Sequence, residues 1–486
     1  MQKQFVFNLA LIIILNTIIK PFYILGIDAE VQNQVGTAAY GSYFSLLNLT
    51  FLFNIVLDFG IVNYNTRNIA QHPKLIRSYF NKLLSIRFLL FGLYIFVALV
   101  MGFTLGYRGD EIYYLSILVF NQFIVAAIQF FRSNITALHW FKAEAFISVL
   151  DRFLLIIFCS VLLWSSVLEE GITIAWFIYA QTVAYSITAI ACLIILSKQL
   201  NRFQFSFNLI YAKSIIKQSS PYALLIFLMF IYNRTDSIML ERLLPDGNIH
   251  AGIYAQGFRY LDAVNMFALL FAGLLLPIYS RLIKEKKPLI NMVETPFRIL
   301  IPISILVGVT CFFNSQTIIA WRYISFNDES SLAFSILILS FVPIATTYIF
   351  GTLLTANGSL KALNIMAIFG VFLNLILNLI LIPKLQSYGA AIATLITQSL
   401  TAIVQIIIAY YIFKFRVNQK LLFSVLLYTL FIILLNYLPT TRLVDLSSIN
   451  PTLIVVAKLI IGVLFLLVFR IFKLSHFLTI LKPQNN

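Results

Sequence analysis

The sequence is short of charge. Only 11% of its 486 residues are Asp, Glu, Lys or Arg, against 61% hydrophobic, and the mean hydropathy is +0.94. A water-soluble domain carries about a quarter charged residues. This chain cannot cover itself with a hydrated surface, so its solvent must be lipid. Histidine and cysteine are scarce, at four and three. Cys159, Cys192 and Cys311 all lie inside apolar runs, which leaves no disulfide framework and no Cys/His cluster at metal-ligand spacing. Long hydrophilic stretches are missing too. No loop is long enough to form an extramembrane domain, and no Walker-type phosphate loop occurs, so ATP-driven transport by this chain alone is not expected.

What is present is a succession of apolar runs. A helix needs about 20 such residues to cross the hydrocarbon layer. Runs of this kind fall near 4–25, 40–63, 83–106, 112–134, 145–166, 173–196 and 221–243, then near 252–280, 296–317, 332–355, 362–383, 388–413, 421–438 and 452–472. They predict an all-α integral membrane protein of about fourteen spans. Lys20-Pro21 stands where a signal peptide would need small residues for cleavage, so the first run is expected to remain as a span. Ser220 followed by Pro221 predicts a helix start, with a capping side chain and proline at the first helical position.

A net charge of +16 could suit nucleic acid. The distribution argues otherwise. With the N-terminus inside, 23 of the 34 basic residues fall in cytoplasmic segments, five outside and six within spans, while eleven acids lie outside and three inside. This is the positive-inside pattern. It predicts a multi-pass protein with both termini cytoplasmic and a basic face set against anionic lipid head groups.

Ten ionisable residues lie inside the predicted spans: Lys20, Asp58, Arg87, Asp151, Arg152, Arg234, Asp236, Arg259, Asp262 and Lys458. A charge at the bilayer centre costs about 2.5–3.5 kcal/mol on insertion scales, so each needs a partner or a wet cavity. Asp58, Arg87, Asp151 and Arg152 are expected within about two turns of the cytoplasmic face, where pairing can anchor helix ends. Lys20 is expected in the outer third of span one. Arg234 and Asp236 fall near the middle of span seven. Two residues apart on a helix they do not face each other, so at least one looks elsewhere. Arg259 and Asp262, three apart, can pair along their helix. Lys458 receives no role. Pro277, Pro302 and Pro343, with Gly273, are candidate bending points or ordinary packing kinks.

Three stretches carry a family resemblance. The first is Tyr40-Gly41-Ser42-Tyr43, with Asp58-Phe59-Gly60 and then Asn63, Thr66 and Arg67. The second runs from Asn233-Arg234-Thr235-Asp236-Ser237 through Ala251-Gly252-Ile253-Tyr254-Ala255 to Leu276-Pro277-Ile278-Tyr279-Ser280. The third is Ile382-Pro383 followed by Tyr388-Gly389-Ala390-Ala391. In this order and spacing the chain resembles the polysaccharide transporter family, the O-antigen flippase branch of the multidrug/oligosaccharidyl-lipid/polysaccharide exporter superfamily. Gly41-Ser42-Tyr43 before span two also echoes Gly252-Ile253-Tyr254 before span eight, as a six-span repeat would.

The resemblance implies two six-helix lobes around a central cavity plus two C-terminal helices. They would comprise residues 1–200, residues 201–416, and residues 417–486 with a cytoplasmic tail. It implies a non-enzymatic flippase in the bacterial cytoplasmic (inner) membrane. The cargo would be undecaprenyl-diphosphate-linked oligosaccharide, a repeat unit of O-antigen lipopolysaccharide, capsule or exopolysaccharide, moved by alternating access. No cofactor is expected beyond coupling to H⁺ or Na⁺. The expected partners are the lipid-linked oligosaccharide, membrane lipids, and a polysaccharide polymerase with its chain-length machinery; nucleic acid is not among them. Arg234, Arg259, Lys20 and Arg87 are then candidates for a cationic cavity, because guanidinium forks suit diphosphate oxygens. Asp236 and Asp262 are candidates for charge balance or ion coupling. A structural salt-bridge network is the competing reading of all six. A lipid II flippase or a cation-coupled drug exporter of the same superfamily is the alternative function. A polytopic glycosyltransferase, suggested by Asp28-Ala29-Glu30 in an outer loop, is disfavoured by the missing large outer loop.

Overall fold

The computed structural model describes residues 14–62, 65, 69, 76–138, 140–165, 168–169, 171–199, 209–415, 418–437 and 450–469. Lys3, Asn63, Thr66, Arg67, Lys74, Arg202, Arg416, Arg442 and the tail from Arg470 therefore lie outside the described residues. Helix accounts for nearly everything else, and no strand occurs among the described residues.

Among the described residues, helix occurs in each of the fourteen expected spans. In chain order α1 covers residues 14–35 and includes a π-helical stretch, Tyr23–Asp28. α2 is Thr37–Leu52, extended by the short turn Ile55–Asp58; α3 is Ile76–Thr104, α4 Asp110–Ala137, α5 Phe141–Trp164, α6 Ile174–Leu196 and α7 Leu209–Leu243. α8 is Gly247–Lys284 and α9 Ile290–Phe313; α10 has two halves, Asp328–Leu339 and Phe341–Ala356. One long run, Leu360–Phe413, is divided at Gln386 (φ 53°, ψ −133°) into α11 before it and α12 after it. α13 is Gln419–Tyr437 and α14 is Pro451–Val468. Among the described residues, ten helices are long and apolar enough to cross a membrane, the divided run counting as one.

The chain forms two compact units, Met1–Gly252 and Ile253–Asn486. In the first, α4 packs against α2, α3, α5 and α6, α1 lies on α5, and α7 lies along α2. In the second, α10 packs on α9 and on the divided run, while α13 and α14 pack against α9. Span seven belongs to the N-terminal of these units. Large side chains such as Phe369 are exposed (67%), whereas Asn374 in the same helix is fully buried. That arrangement is stable only where the surrounding solvent is apolar.

Several local expectations are corrected. Ser220 does not start a helix: α7 begins at Leu209 and carries Pro221 in its interior. Proline at 221 removes the N–H that would reach the Lys217 carbonyl. Ser220 Oγ donates to that carbonyl instead (3.2 Å), which allows the helix to continue. The same remedy recurs in α9, where Pro296 frees the Met292 carbonyl and Tyr279 Oη donates to it (3.3 Å). Pro277 and Pro302 likewise lie inside uninterrupted helices, whereas near Pro343 the helix is divided at Ser340.

At one crossing two backbones touch. A Cβ on Gly41 would stand 1.9 Å from the Asn248 carbonyl oxygen, and one on Gly252 would stand 2.1 Å from the Thr37 oxygen. No side chain fits at either place, so the start of α2 lies directly against the first turns of α8. Gln32 Nε2 adds a hydrogen bond to the Gly252 carbonyl (2.8 Å). The tyrosines two residues on are also used alike. Tyr43 accepts from Gln181 of α6 (2.7 Å), and Tyr254 bonds Thr394 of α12 (3.2 Å).

Candidate functional site

The seam of α2 and α7 holds the arginine singled out in span seven. Ser45 and Asn48 are one turn apart on α2 and so share a face. Ser45 Oγ donates to the Ser237 carbonyl (3.0 Å), and Asn48 Nδ2 donates to Ser237 Oγ (2.8 Å). These bonds fix the face of α7 that carries Arg234. The Arg234 guanidinium donates to Asn48 Oδ1 (3.4 Å) and lies 5.2 Å from the Phe51 ring centre. It is half-buried, while Asp236, two residues on, is fully buried. An arginine held against an amide and an aromatic face presents a planar fork of the kind that oxyanion recognition uses.

A second polar region lies where α1 meets α4, α5 and α6. Asn16 Nδ2 donates to Ser148 Oγ (2.9 Å), which sets the register of α1 on α5. Arg152 lies 5.0 Å from the Tyr23 ring and 5.7 Å from the Tyr185 ring, donates to Tyr185 Oη (2.9 Å), and is 3.8 Å from Asp151. Arg132 holds Glu144 through Nε (3.0 Å) and Nη2 (2.5 Å). Lys20 is surrounded by these same charges: Arg132, Asp151, Arg152 and Glu144. Its neighbourhood is the first three turns of α5 and the end of α4. α1 itself runs on to Val35, about ten residues beyond the expected end of span one. Arg152 is about three turns into α5, which begins at Phe141.

Arg87 has a different setting. It pairs with Asp58 through Nη2, donates from Nη1 to the Ala126 carbonyl (2.6 Å), and lies 5.1 Å from the Phe130 ring. Asp58 in turn accepts from the backbone N–H groups of Gly60 and Val62 (3.1 Å each). This closes the left-handed turn at Phe59 and Gly60 (φ 40° and 81°). Arg87 and Asp58 thus bind α2, α3 and α4 to one another. Arg259 and Asp262 pair within α8 at 3.6 Å, as their spacing allows. Within the N-terminal unit, then, Lys20, Arg87 and Arg234 occupy three separate settings.

Between α3 and α4 a fourth cluster ties helix ends together. Tyr107 donates to Glu241, and the Arg242 guanidinium stacks on the Tyr107 ring at 3.6 Å and lies 3.6 Å from Glu111. Burial, followed by the Glu241 carboxylate, raises the Tyr107 hydroxyl well above its ordinary value, so it remains a donor. Residue-by-residue reading passed over Ser45, Asn48, Ser237, Gln181 and the Arg132–Glu144 pair. The signal was there for the first two, as small and polar positions at 41, 45 and 48 recur at helical spacing in an apolar run.

The family model for polysaccharide biosynthesis proteins matches residues 7–283, more than half of the chain. A sequence search of curated proteins finds no match. Solved structures are similar in fold. The lipid II flippase MurJ in an inward closed conformation aligns with a TM-score of 0.69 at 17% identity, over 95% of this chain and 97% of that one. An inward-facing multidrug resistance MATE family transporter of the MOP superfamily aligns at 0.61 and 14% identity, over 81% and 94%. A MOP superfamily transporter from Pyrococcus furiosus, described as having a binding pocket of reverse polarity, aligns at 0.57 and 14%, over 85% and 96%.

Proposed function

Because the chain belongs to the polysaccharide biosynthesis protein family, we propose that it flips a lipid-linked oligosaccharide, carried on undecaprenyl diphosphate, across the bacterial cytoplasmic membrane. The observation that carries this reading is Arg234. It is a half-buried guanidinium well inside a span, steadied by Asn48 and Phe51 and lying beside the buried Asp236. A diphosphate head group presents several anionic oxygens, and an arginine fork takes two of them in parallel. Transport follows alternating access, and Asp236 is the residue assigned to balance charge or to carry a coupling H⁺ or Na⁺. Both termini are assigned to the cytoplasm by the basic-residue count. The product side is where a polymerase and chain-length machinery would take over.

Arg259 and Lys20 are assigned supporting roles in drawing the anionic head group into the membrane. Arg87 is not, because its contacts with Asp58, the Ala126 carbonyl and the Phe130 ring are spent in joining three helices. The test is complementation of a strain lacking the gene. Arg234→Ala and Arg234→Lys are each expected to lose most surface polysaccharide, Lys being a point charge without the fork. Normal polysaccharide with both variants would remove Arg234 from the site.

A lipid II flippase is the second reading, favoured by the MurJ-like fold over 95% of the chain. Rescue of a strain depleted of its lipid II flippase would support it over the first.

A further inference from the structure

Lys458 is the one intramembrane charge without a role so far, and its surroundings are unlike those of the others. It lies on α14 and is only 7% exposed. Its ammonium donates to Asn314 Oδ1 at 3.3 Å, and it forms no ion pair with any described residue. Asn314 Nδ2 donates to the Thr310 carbonyl (2.7 Å) and to Asn436 Oδ1 (3.0 Å). Asn436 Nδ2 donates to Thr310 Oγ1 (3.3 Å) and to the Ile432 carbonyl (2.9 Å). Both amide N–H₂ groups are thus fully used in holding the network together. An ammonium has three donors, and only one is engaged. At this degree of burial bulk water does not solvate the remainder, and an unmatched charge in lipid is costly.

The position identifies the kind of partner. Asn314 is the residue at which α9 ends, Asn436 is next to last in α13, and α14 starts at Pro451. Lys458 is about 10 Å along its helix from Pro451 at 1.5 Å per residue. Helical side chains lean toward their own N-terminus, so its stem runs toward those helix ends. Immediately beyond α9 comes the short helix Ser315–Arg322, which packs on α14. Trp321 in this helix, Ile324 and Phe326 just after it, and Tyr437 at the end of α13 are exposed. Exposed Trp and Tyr at helix ends mark the level of lipid head groups. The lysine therefore lies just beneath the phosphates of one leaflet, with its charge directed at them.

We propose that Lys458, fixed by Asn314 and Asn436, is a head-group site for the phosphate of an anionic phospholipid at the ends of α9, α13 and α14. The amides hold the stem and the ammonium supplies the free donors, so the site reads charge and not head-group shape. Its occupant is a resident lipid that fastens the C-terminal helix pair to α9, distinct from the cargo.

The test uses the purified full chain in neutral detergent. Thermal unfolding is followed after adding phosphatidylglycerol or phosphatidylcholine, for wild type, Lys458→Met and Lys458→Arg. Phosphatidylglycerol is expected to raise the wild-type midpoint several degrees more than phosphatidylcholine. Met, similar in length but uncharged, should lose at least half of that difference, and Arg should keep it. An undiminished difference in Lys458→Met would overturn the proposal. So would equal stabilisation of the wild type by the two lipids. A Lys458-dependent gain from inorganic phosphate alone, without lipid, would overturn the lipid source. If Lys458→Met cannot be purified, Lys458→Gln carries the same comparison.

Discussion

Replacing Asp58 by asparagine tests whether Arg87 is structural or waits for substrate. Arg87 is 3% exposed, and its contacts are the Asp58 carboxylate, the Ala126 carbonyl and the Phe130 ring. Asp58 accepts from Gly60 at Oδ2 and from Val62 at Oδ1, so the one amide oxygen of asparagine keeps only one of these bonds. The larger loss is the counter-charge of a buried guanidinium. Breaking a buried pair from one side costs about 3–5 kcal/mol, because the remaining charge is left uncompensated. The opposite change is milder. Arg87→Met leaves Asp58 at 24% exposure and still accepting two backbone N–H groups. Thermal unfolding in detergent should therefore rank Asp58→Asn as less stable than Arg87→Met. The double variant should recover most of that difference, stopping short of Arg87→Met by about one turn hydrogen bond, about 0.5–1.5 kcal/mol. If Asp58→Asn matches wild type, or Arg87→Met is the worse of the two, Arg87 is not held by Asp58 and the substrate role returns.

Two further perturbations follow from the geometry. Gly252→Ala places a methyl group 2.1 Å from the Thr37 oxygen, so α2 and α8 must separate there. Overpacking of this kind costs about 1–3 kcal/mol, and both a lower unfolding midpoint and slower flipping are expected; unchanged stability would mean the crossing is loose. Ser220→Ala leaves the Lys217 carbonyl without its substitute donor. A loss of about 0.5–1.5 kcal/mol is expected, and Pro221→Ala in the same background should restore it by returning the backbone N–H.

Much of the architecture was legible because lipid imposes a simple length rule, and among the described residues each of the fourteen apolar runs contains helix. Helix ends were harder to read. α1 continues through a π-helical stretch to Val35, and hydropathy alone does not register a helix that runs past its apolar core. Ser220-Pro221 had the chemistry of a helix start, yet a single side-chain hydrogen bond lets proline sit in the interior. The Arg259–Asp262 pair was readable from spacing, since both residues are on one helix. The partners of Arg87, Arg152 and Arg234 come from other helices, and no rule of spacing in one dimension identifies Ala126, Tyr185 or Asn48. The echo of Gly41 and Gly252 was visible as a repeat. That the two glycines meet at one crossing emerged only in three dimensions.

Translocation of a lipid-linked oligosaccharide, with Arg234 as the anion-binding residue, is measured most directly in liposomes. Purified protein is reconstituted with a fluorescent undecaprenyl-diphosphate oligosaccharide, and protection of the label from a membrane-impermeant quencher is followed. Wild type should exchange label between leaflets faster than protein-free liposomes, and Arg234→Ala should fall at least tenfold while remaining folded. Exchange no faster than in empty liposomes would contradict the function, and full-rate exchange by Arg234→Ala would contradict the site.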